Sequence, residues 1–359
     1  MTKSSKNVRS GGLTFSAQKW RQVTIMYTEE ILHQKPAVIK IFTGLPAAVF
    51  WQLVAQVEAE MAAYNRHRHQ RPGRQRAVGG GRHFDLPLAI RVALVLTYLR
   101  HNMPQQVVAA MYHEATQSDV SRQLRLVLPL LAEVLPCPEV WDKLDTDHPL
   151  SEDDLLELVQ LSDGRVIIDA TEQQIYRPEG HNDLRKPFYS GKKKQFTLKT
   201  QVVIDGQHHI VAITITLPGA TSDKKLADQT RTVERLPDGC HAQADKGYQG
   251  LAKQVAATPV ENQQTGQTDQ LPRLTLQTPF KKPPKGELTP EQKTFNQVLG
   301  AIRVRVEHCI GWVKNWNILS TRFRCDHAIY TLVMQVVCGL VNLQTERWQT
   351  AKTLSALAT

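Results

Sequence analysis

The chain has 359 residues, about twice a typical domain, so a large core with a smaller module is expected. Its 44 Lys and Arg against 34 Asp and Glu leave a formal net charge of +10, which favours a polyanionic partner, either nucleic acid or an anionic membrane surface. The opening Met1-Thr2-Lys3-Ser4-Ser5-Lys6-Asn7 is no secretory leader, no stretch reads as long and apolar enough to span a bilayer, and the five cysteines (Cys137, Cys240, Cys309, Cys325, Cys338) hold no C-x-x-C pair, which argues against export, a disulfide framework and a cysteine zinc site.

Helical periodicity runs from Thr43 to about Leu135. After the start signal Thr43-Gly44-Leu45-Pro46, residues Val49, Phe50, Leu53, Val54 and Val57 share one face and predict a first helix. The stretch from Asn65 to Arg82 carries Arg66, Arg68, Arg71, Arg74, Arg76 and Arg82 and ends in Gly79-Gly80-Gly81, the pattern of a flexible basic linker. Leu88 to Leu99 is apolar nearly all round, as in a helix buried among others. A short helix near Gln105 to Tyr112 and another starting at Thr116-Gln117-Ser118-Asp119 make a helix-turn-helix candidate, with Pro129 expected to interrupt the second helix. Val120, Leu124, Val127 and Leu128 line the inner side of that helix. Ser118, Ser121, Arg122 and Arg125 line the other, at the spacing of groups that face a DNA groove.

Near Arg165 the period changes from helix to strand. Arg165-Val166-Ile167-Ile168-Asp169 reads as a buried strand ending on an acid, and Phe196 to Ile204 and His209 to Leu217 alternate on either side of Asp205-Gly206, a two-residue hairpin signal. A helix is predicted from about Ser222, a strand over Ala242 to Asp245, a loosely structured stretch from Thr258 to Gln270, a last strand within Leu274 to Phe280, and a helix from Pro290 to about Trp316. Strand, hairpin, helix, strand, strand, helix is the order of a ribonuclease-H-like α/β core, a mixed sheet flanked by helices. The expected organisation is an N-terminal extension over 1–42, an all-α helix-turn-helix module over 43–145 with its basic linker at 65–82, a catalytic domain over 160–348 and a tail over 349–359.

Phosphoryl transfer on DNA needs an activated water or 3′ hydroxyl and a stabilised leaving oxygen, which two hard cations held by carboxylates supply. Asp169 closes an apolar strand where packing gives a carboxylate no role, although an Asp capping the next turn accounts for it equally well when taken alone. Asp245 has the same character, and Glu307 on the late helix reads by itself as a solvated surface residue. Their joint placement on first strand, later strand and closing helix makes the three a candidate site. Glu172, three positions beyond Asp169, points to the opposite face, and Asp223 suits a helix start, so both are read as structural.

Four motifs sharpen this: Val166-Ile167-Ile168-Asp169-Ala170-Thr171-Glu172, Tyr189-Ser190-Gly191-Lys192-Lys193-Lys194, Pro218-Gly219-Ala220-Thr221-Ser222-Asp223 and Ala244-Asp245-Lys246-Gly247-Tyr248. In order and context they resemble bacterial DDE-type transposases of the insertion-sequence-five family, relatives of the Harbinger transposases. The resemblance implies that Asp169, Asp245 and Glu307 bind the catalytic Mg²⁺ or Mn²⁺, two ions per site. Arg303, four before Glu307, and Lys314, seven after it, match positions often found in such enzymes, while the Tyr that often opens this signature falls at Gly300.

Arg185, Lys186, Lys192, Lys193, Lys194 and Lys199, with Phe188 and Tyr189 among them, form a basic run expected to neutralise phosphates. Arg303 and Lys314 share a helix face with Glu307 and are expected to reach a DNA strand. The resulting expectation is a cytoplasmic, nucleoid-associated transposase that acts as a dimer or larger assembly on double-stranded DNA, recognises terminal inverted repeats, cleaves element ends and joins the 3′ hydroxyls to target DNA. Two readings stay open beside it: a transposase-derived DNA-binding protein without cleavage, and a metal-dependent nuclease without strand transfer.

Overall fold

A computed structural model describes residues 26–69, 86–142, 164–255, 257–261 and 268–357. Residues assigned to an N-terminal extension already carry two helices, α1 (Glu29–Gln34), capped by Thr28, and α2 (Pro36–Thr43), with Pro at its start and Gly44 at φ 74 ending it. The first expected helix is α3 (Ala47–His69), which carries the helix into the start of the arginine stretch; residues 70–82 of the expected linker lie outside the described residues.

Helix α4 (Leu88–His101) is buried from Ala89 to Leu99 without interruption, as its all-round apolarity demands. Arg91 is sealed in with it and donates through Nε to Gln123 Oε1 at 2.9 Å. Helix α5 (Gln105–Ala109) precedes α6 (Gln117–Val134), whose start is a reciprocal capping box between Thr116 and Asp119. Pro129 does not interrupt α6. A mid-helix proline costs about 3 kcal/mol, whereas each buried leucine contributes about 1.5–3 kcal/mol, and Leu124, Leu128, Leu130 and Leu131 are buried on both sides of it.

Eight strands form one mixed sheet, with the central order β1-β5-β4-β2-β7-β10: β1 (Glu139–Trp141), β2 (Arg165–Gln174), β4 (Gln195–Asp205), β5 (Ile210–Thr214), β7 (His241–Ala244) and β10 (Thr275–Gln277). β2 is antiparallel to β4 and parallel to β7. Two short strands, β3 (Tyr189–Ser190) and β6 (Leu217–Pro218), pair with the start of β4. The hairpin between β4 and β5 is not the expected two-residue turn. Gly206, Gln207 and His208 form a three-residue loop with His208 in the left-handed region at φ 71, and Asp205 Oδ1 accepts from the backbone N–H of Gln207 and of His209 at 2.7 and 2.9 Å. The two ends of the stretch from Thr258 to Gln270 are also more regular than expected, because β8 (Ala257–Glu261) and β9 (Thr268–Pro272) pair as an antiparallel two-stranded sheet.

Alternation along β2 separates two faces. The short helix α7 (Asn182–Arg185) follows β2. Ile167 packs into the core shared with the C-terminal helices α10 (Pro290–Lys314), α11 (Asn317–Ser320) and α12 (Tyr330–Leu357), while Val166 and Ile168 pack on the opposite side with residues of α8 (Asp223–Gln229) and α9 (Thr232–Arg235). The segment His327–Glu346, which leads into and includes much of α12, does pass as a membrane span by length and composition, contrary to the sequence expectation. Its most apolar window is 61% buried within the fold, where Tyr330, Val333, Met334, Val337 and Val341 are core residues.

That core runs without a break from the N-terminal helices into the sheet. Polar bonds fasten the two: Asn102 donates to Thr321 Oγ1 at 2.7 Å, and buried Asn342 joins the Pro136 carbonyl to the backbone N–H and C=O of Ile210, each at 2.9 Å.

Candidate active site

Asp169 is not a strand end. β4 pairs with β2 along its whole length, from Val166↔Asp205 to Gln174↔Thr197, so Asp169 sits mid-strand on the face that looks toward α10. β7 is the strand that stops there. Its last pair with β2 is Ile168↔Ala244, so the carboxylates of Asp169 and Asp245 emerge side by side at the next step of two parallel strands.

Helix α10 closes over them with Arg303. Its Nη1 lies 3.0 Å from Asp245 Oδ1 and its Nη2 3.5 Å from Asp169 Oδ2. The arginine side chain is 13% exposed, those of Asp169 and Asp245 20% and 34%. Asp169 Oδ1 also accepts from the Ala170 N–H at 2.8 Å. Burial pushes the Asp169 carboxyl above its ordinary value; the Ala170 bond and Arg303 oppose the rise, and the charges of Asp245 and Asp223 add to it. Tyr248 lies fully buried close by, its hydroxyl without a hydrogen-bond partner, and burial followed by the charges of Asp223, Asp169 and Asp245 holds that phenol well above its ordinary value.

Two of the three expected acids are therefore brought together, and the third stands apart. Glu307 lies one turn beyond Arg303, exposed and without an ion pair among the described residues. No three His, Cys, Asp or Glu among the described residues are gathered closely enough to hold a metal. Electrostatics explains the choice: a third carboxylate beside two others is repelled unless a cation is present, whereas a guanidinium neutralises them. The hard oxygens of Asp169 and Asp245, already facing one cation, fit the donor chemistry of Mg²⁺ or Mn²⁺ as part of a shell.

The other site residues fall into two groups. Lys192, Lys193 and Lys194 are exposed in the turn before β4, with Lys194 at φ 55, and Ser118, Arg122 and Arg125 are exposed on α6 with Ser121 half-buried beside them. Arg122 pairs with Asp119 at 3.0 Å. Arg185 and Lys314 point inward instead. Arg185 donates through Nε to the Pro178 carbonyl at 3.0 Å, and Lys314 Nζ donates to the carbonyls of Glu172 and Leu319, both at 3.1 Å. Burial, together with the charge of Lys193, lowers the Lys314 ammonium to about 8.

Lys199, read as the end of the basic run, is buried and unavailable to phosphates. Its Nζ lies 2.9 Å from Asp223 Oδ1 and 3.6 Å from Glu172 Oε1. One signal was available in the sequence: Lys199 lies inside the predicted strand Phe196 to Ile204, and that strand is buried on both faces from Thr197 to Asp205, as a central strand covered on both sides is.

Residues 168–342 match the family model described as DDE superfamily endonuclease. A protein of Microchaete diplosiphon described as a probable transposase for insertion sequence element IS702 is 31% identical over 179 residues, which is 50% of this chain and 56% of that protein. The chain thus spans about half the length of this relative. No solved structure matches it. Asp169, Asp245, Arg303 and Glu307 all fall inside the matched segment, and the mixed sheet flanked by helices fits a ribonuclease-H-like domain. The segment similar to a DDE superfamily endonuclease is thus the one that carries the paired aspartates and the helix laid over them.

Proposed function

We propose that the chain is a DNA transposase similar to the insertion-sequence-five family and its Harbinger relatives, which binds terminal inverted repeats, cleaves element ends and joins the freed 3′ hydroxyls to target DNA. The observation that carries this reading is the pair Asp169 and Asp245, side by side on parallel strands and facing one shared cation. When bound, Mg²⁺ or Mn²⁺ ions supply an activated water or 3′ hydroxyl and a stabilised leaving oxygen. Asp169 and Asp245 would hold them, with Glu307, one turn past Arg303, as the third carboxylate, and Arg303 would then be free to meet a DNA phosphate. Lys192, Lys193 and Lys194 track the backbone of the bound strand, and the exposed face of α6 reads the repeat as the second helix of a helix-turn-helix. Cutting both ends in concert calls for at least two protomers on DNA in the cytoplasm.

The test incubates purified chain with Mg²⁺ or Mn²⁺ and DNA carrying the repeats that flank its gene. Expected are 3′ hydroxyl nicks at the repeat ends and joined products, both lost in Asp169→Ala and Asp245→Ala. Nicks without joined products would leave a nuclease. Binding without nicks would leave a DNA-binding protein, and equal cutting by Asp169→Ala would sink the catalytic assignment.

A further inference from the structure

Three of the sequence motifs meet at a place other than the paired aspartates. Glu172 and Lys199 are direct partners across β2 and β4, so their side chains leave the sheet on one face, opposite to that of Asp169. Lys199 Nζ bridges Glu172 and Asp223, and Thr197 Oγ1 donates to Glu172 Oε2 at 2.9 Å. All three charged side chains are largely withdrawn from water, at 9% exposure for Lys199, 7% for Glu172 and 22% for Asp223.

Two glycines seal this network, and each has a reason to be glycine. A Cβ at Gly219 would collide with Thr197 Oγ1, and a Cβ at Gly247 would collide with Asp223 Oδ2. The backbone of the turn after β7 therefore rests directly on the Asp223 carboxylate. That turn begins with Asp245, whose C=O accepts from the Tyr248 N–H at 3.0 Å, and Tyr248 is anchored by complete burial. A chain of contact thus runs from Lys199 through Asp223 and Gly247 to Asp245. Among the described residues Lys199 is the one cation that these two acids contact, so its removal leaves two carboxylates with little access to water facing each other.

We propose that Lys199 is a positioning residue, holding Asp223 against the Gly247 turn so that Asp245 stays beside Asp169. The consequence for catalysis rests on the reading of Asp245 as a catalytic carboxylate; the mechanical link does not. It assigns distinct work to the Glu172, Asp223 and Gly247 positions of the three motifs: none touches DNA, and each sets where Asp245 sits.

Hydrogen exchange on the full chain, read by mass spectrometry, tests the link directly. In Lys199→Met and in Asp223→Asn, exchange of the peptide over 245–251 should rise ~10-fold or more while α4 and α6 keep their protection, and the double variant should exceed neither single one, because both cut one path. Gly247→Ala keeps every charge and should loosen the same peptide, and Lys199→Arg should restore part of the protection. In the cleavage assay Lys199→Met should lower kcat ~10- to 100-fold with KM for DNA within ~3-fold, the pattern of a misplaced group rather than a lost contact. Unchanged exchange at the turn, or a uniform rise across α4, α6 and the turn, overturns the proposal, as does additivity of the two single substitutions. If the parent chain cuts no DNA yet the turn responds as described, the link holds and the catalytic reading of Asp245 falls.

Discussion

The two faces of β2 carry the same charge arithmetic in different settings. On one, Arg303 serves Asp169 and Asp245; on the other, Lys199 serves Glu172 and Asp223. Each set is two acids and one cation. The Lys199 set is closed by Thr197 and by glycine backbone that admits no Cβ, and its cation comes from the central strand β4, which cannot move without the sheet. The Arg303 set opens further to solvent at Asp245, and its cation comes from a helix laid over the strand ends. Arg303 Nε, moreover, is buried without a partner. An unmet donor is the sign of a contact that leaves something to gain by moving, whereas the lysine set has the features of permanent structure.

The sharpest way to break this contrast is to remove one acid from each side. On the proposed reading Asp169 holds metal and has no substitute, so Asp169→Ala should lower the rate of end cleavage by ~10³-fold or more with DNA affinity nearly unchanged. Glu172→Gln should lower it by no more than ~10-fold, since the amide keeps the Thr197 bond and only weakens the seat of Lys199. Rates from single-turnover cleavage compare the two, and equal losses would erase the distinction between holding and exchanging sites.

Next in size is the arginine itself. Arg303→Ala leaves Asp169 and Asp245 facing each other without a cation, so the metal-free protein should lose about 1–2 kcal/mol, reduced from the value for a fully buried pair by the exposure of Asp245. Thermal melts with and without Mn²⁺ should show that loss largely recovered by the metal. A deficit that persists at saturating Mn²⁺ would mean that Arg303 is structural cement and not a cation that the metal replaces.

A smaller effect follows from proton linkage at Asp169. Its carboxyl is raised in the folded protein by burial, so it takes up a proton on folding at pH values just above its ordinary one. Its contribution to metal-free stability is fully present below the unfolded value and is lost as pH rises through the raised folded value. Metal binding has the opposite sign, because it needs the carboxylate free of its proton. Mn²⁺ affinity should therefore climb through a midpoint above the ordinary aspartate range, and Asp169→Asn should abolish that part of the profile. Calorimetric titration at a series of pH values reads both.

The contrast also explains what the sequence could and could not reveal. Asp169 and Asp245 were legible because strand period and turn signals place them at neighbouring ends of predicted strands, even though β2 runs on past Asp169 through pairing with β4. The start of α10 was legible for a local reason as well, Thr289, Pro290 and Gln292 forming a capping box with Pro at its first position. Helical phase puts Arg303 and Glu307 on one side of α10, but which of them turns inward depends on the charge already at the strand ends. Lys199 reads as a phosphate contact because a run of lysines is usually solvated, and Lys314 because it shares a helix face with Glu307. Their burial comes from the partners α8 and β2 supply across the fold, and no local pattern carries it. Pro129 misled for the same reason, since leucine burial against α4 and α12 is a tertiary matter.

The smallest expected effect concerns α6, where the sequence and the structure agree on an exposed polar face without showing what it meets. If Arg122 and Arg125 contact phosphates, replacing either by Ala should weaken binding by about 1 kcal/mol for every sequence alike and reduce the slope of log affinity against log salt by about 0.9 per contact. If they reach base edges, the loss should be about 1–3 kcal/mol on the cognate repeat and near zero on scrambled DNA, with Ser118 and Ser121 contributing to the same discrimination. Arg122 already pairs with Asp119, so part of its charge is spent on the helix and Arg125 should have the larger effect. The triple lysine turn at Lys192 to Lys194 is the internal control, because it should follow the phosphate pattern only. A salt slope altered by the lysines and by neither arginine would place the DNA on the sheet and leave α6 as packing.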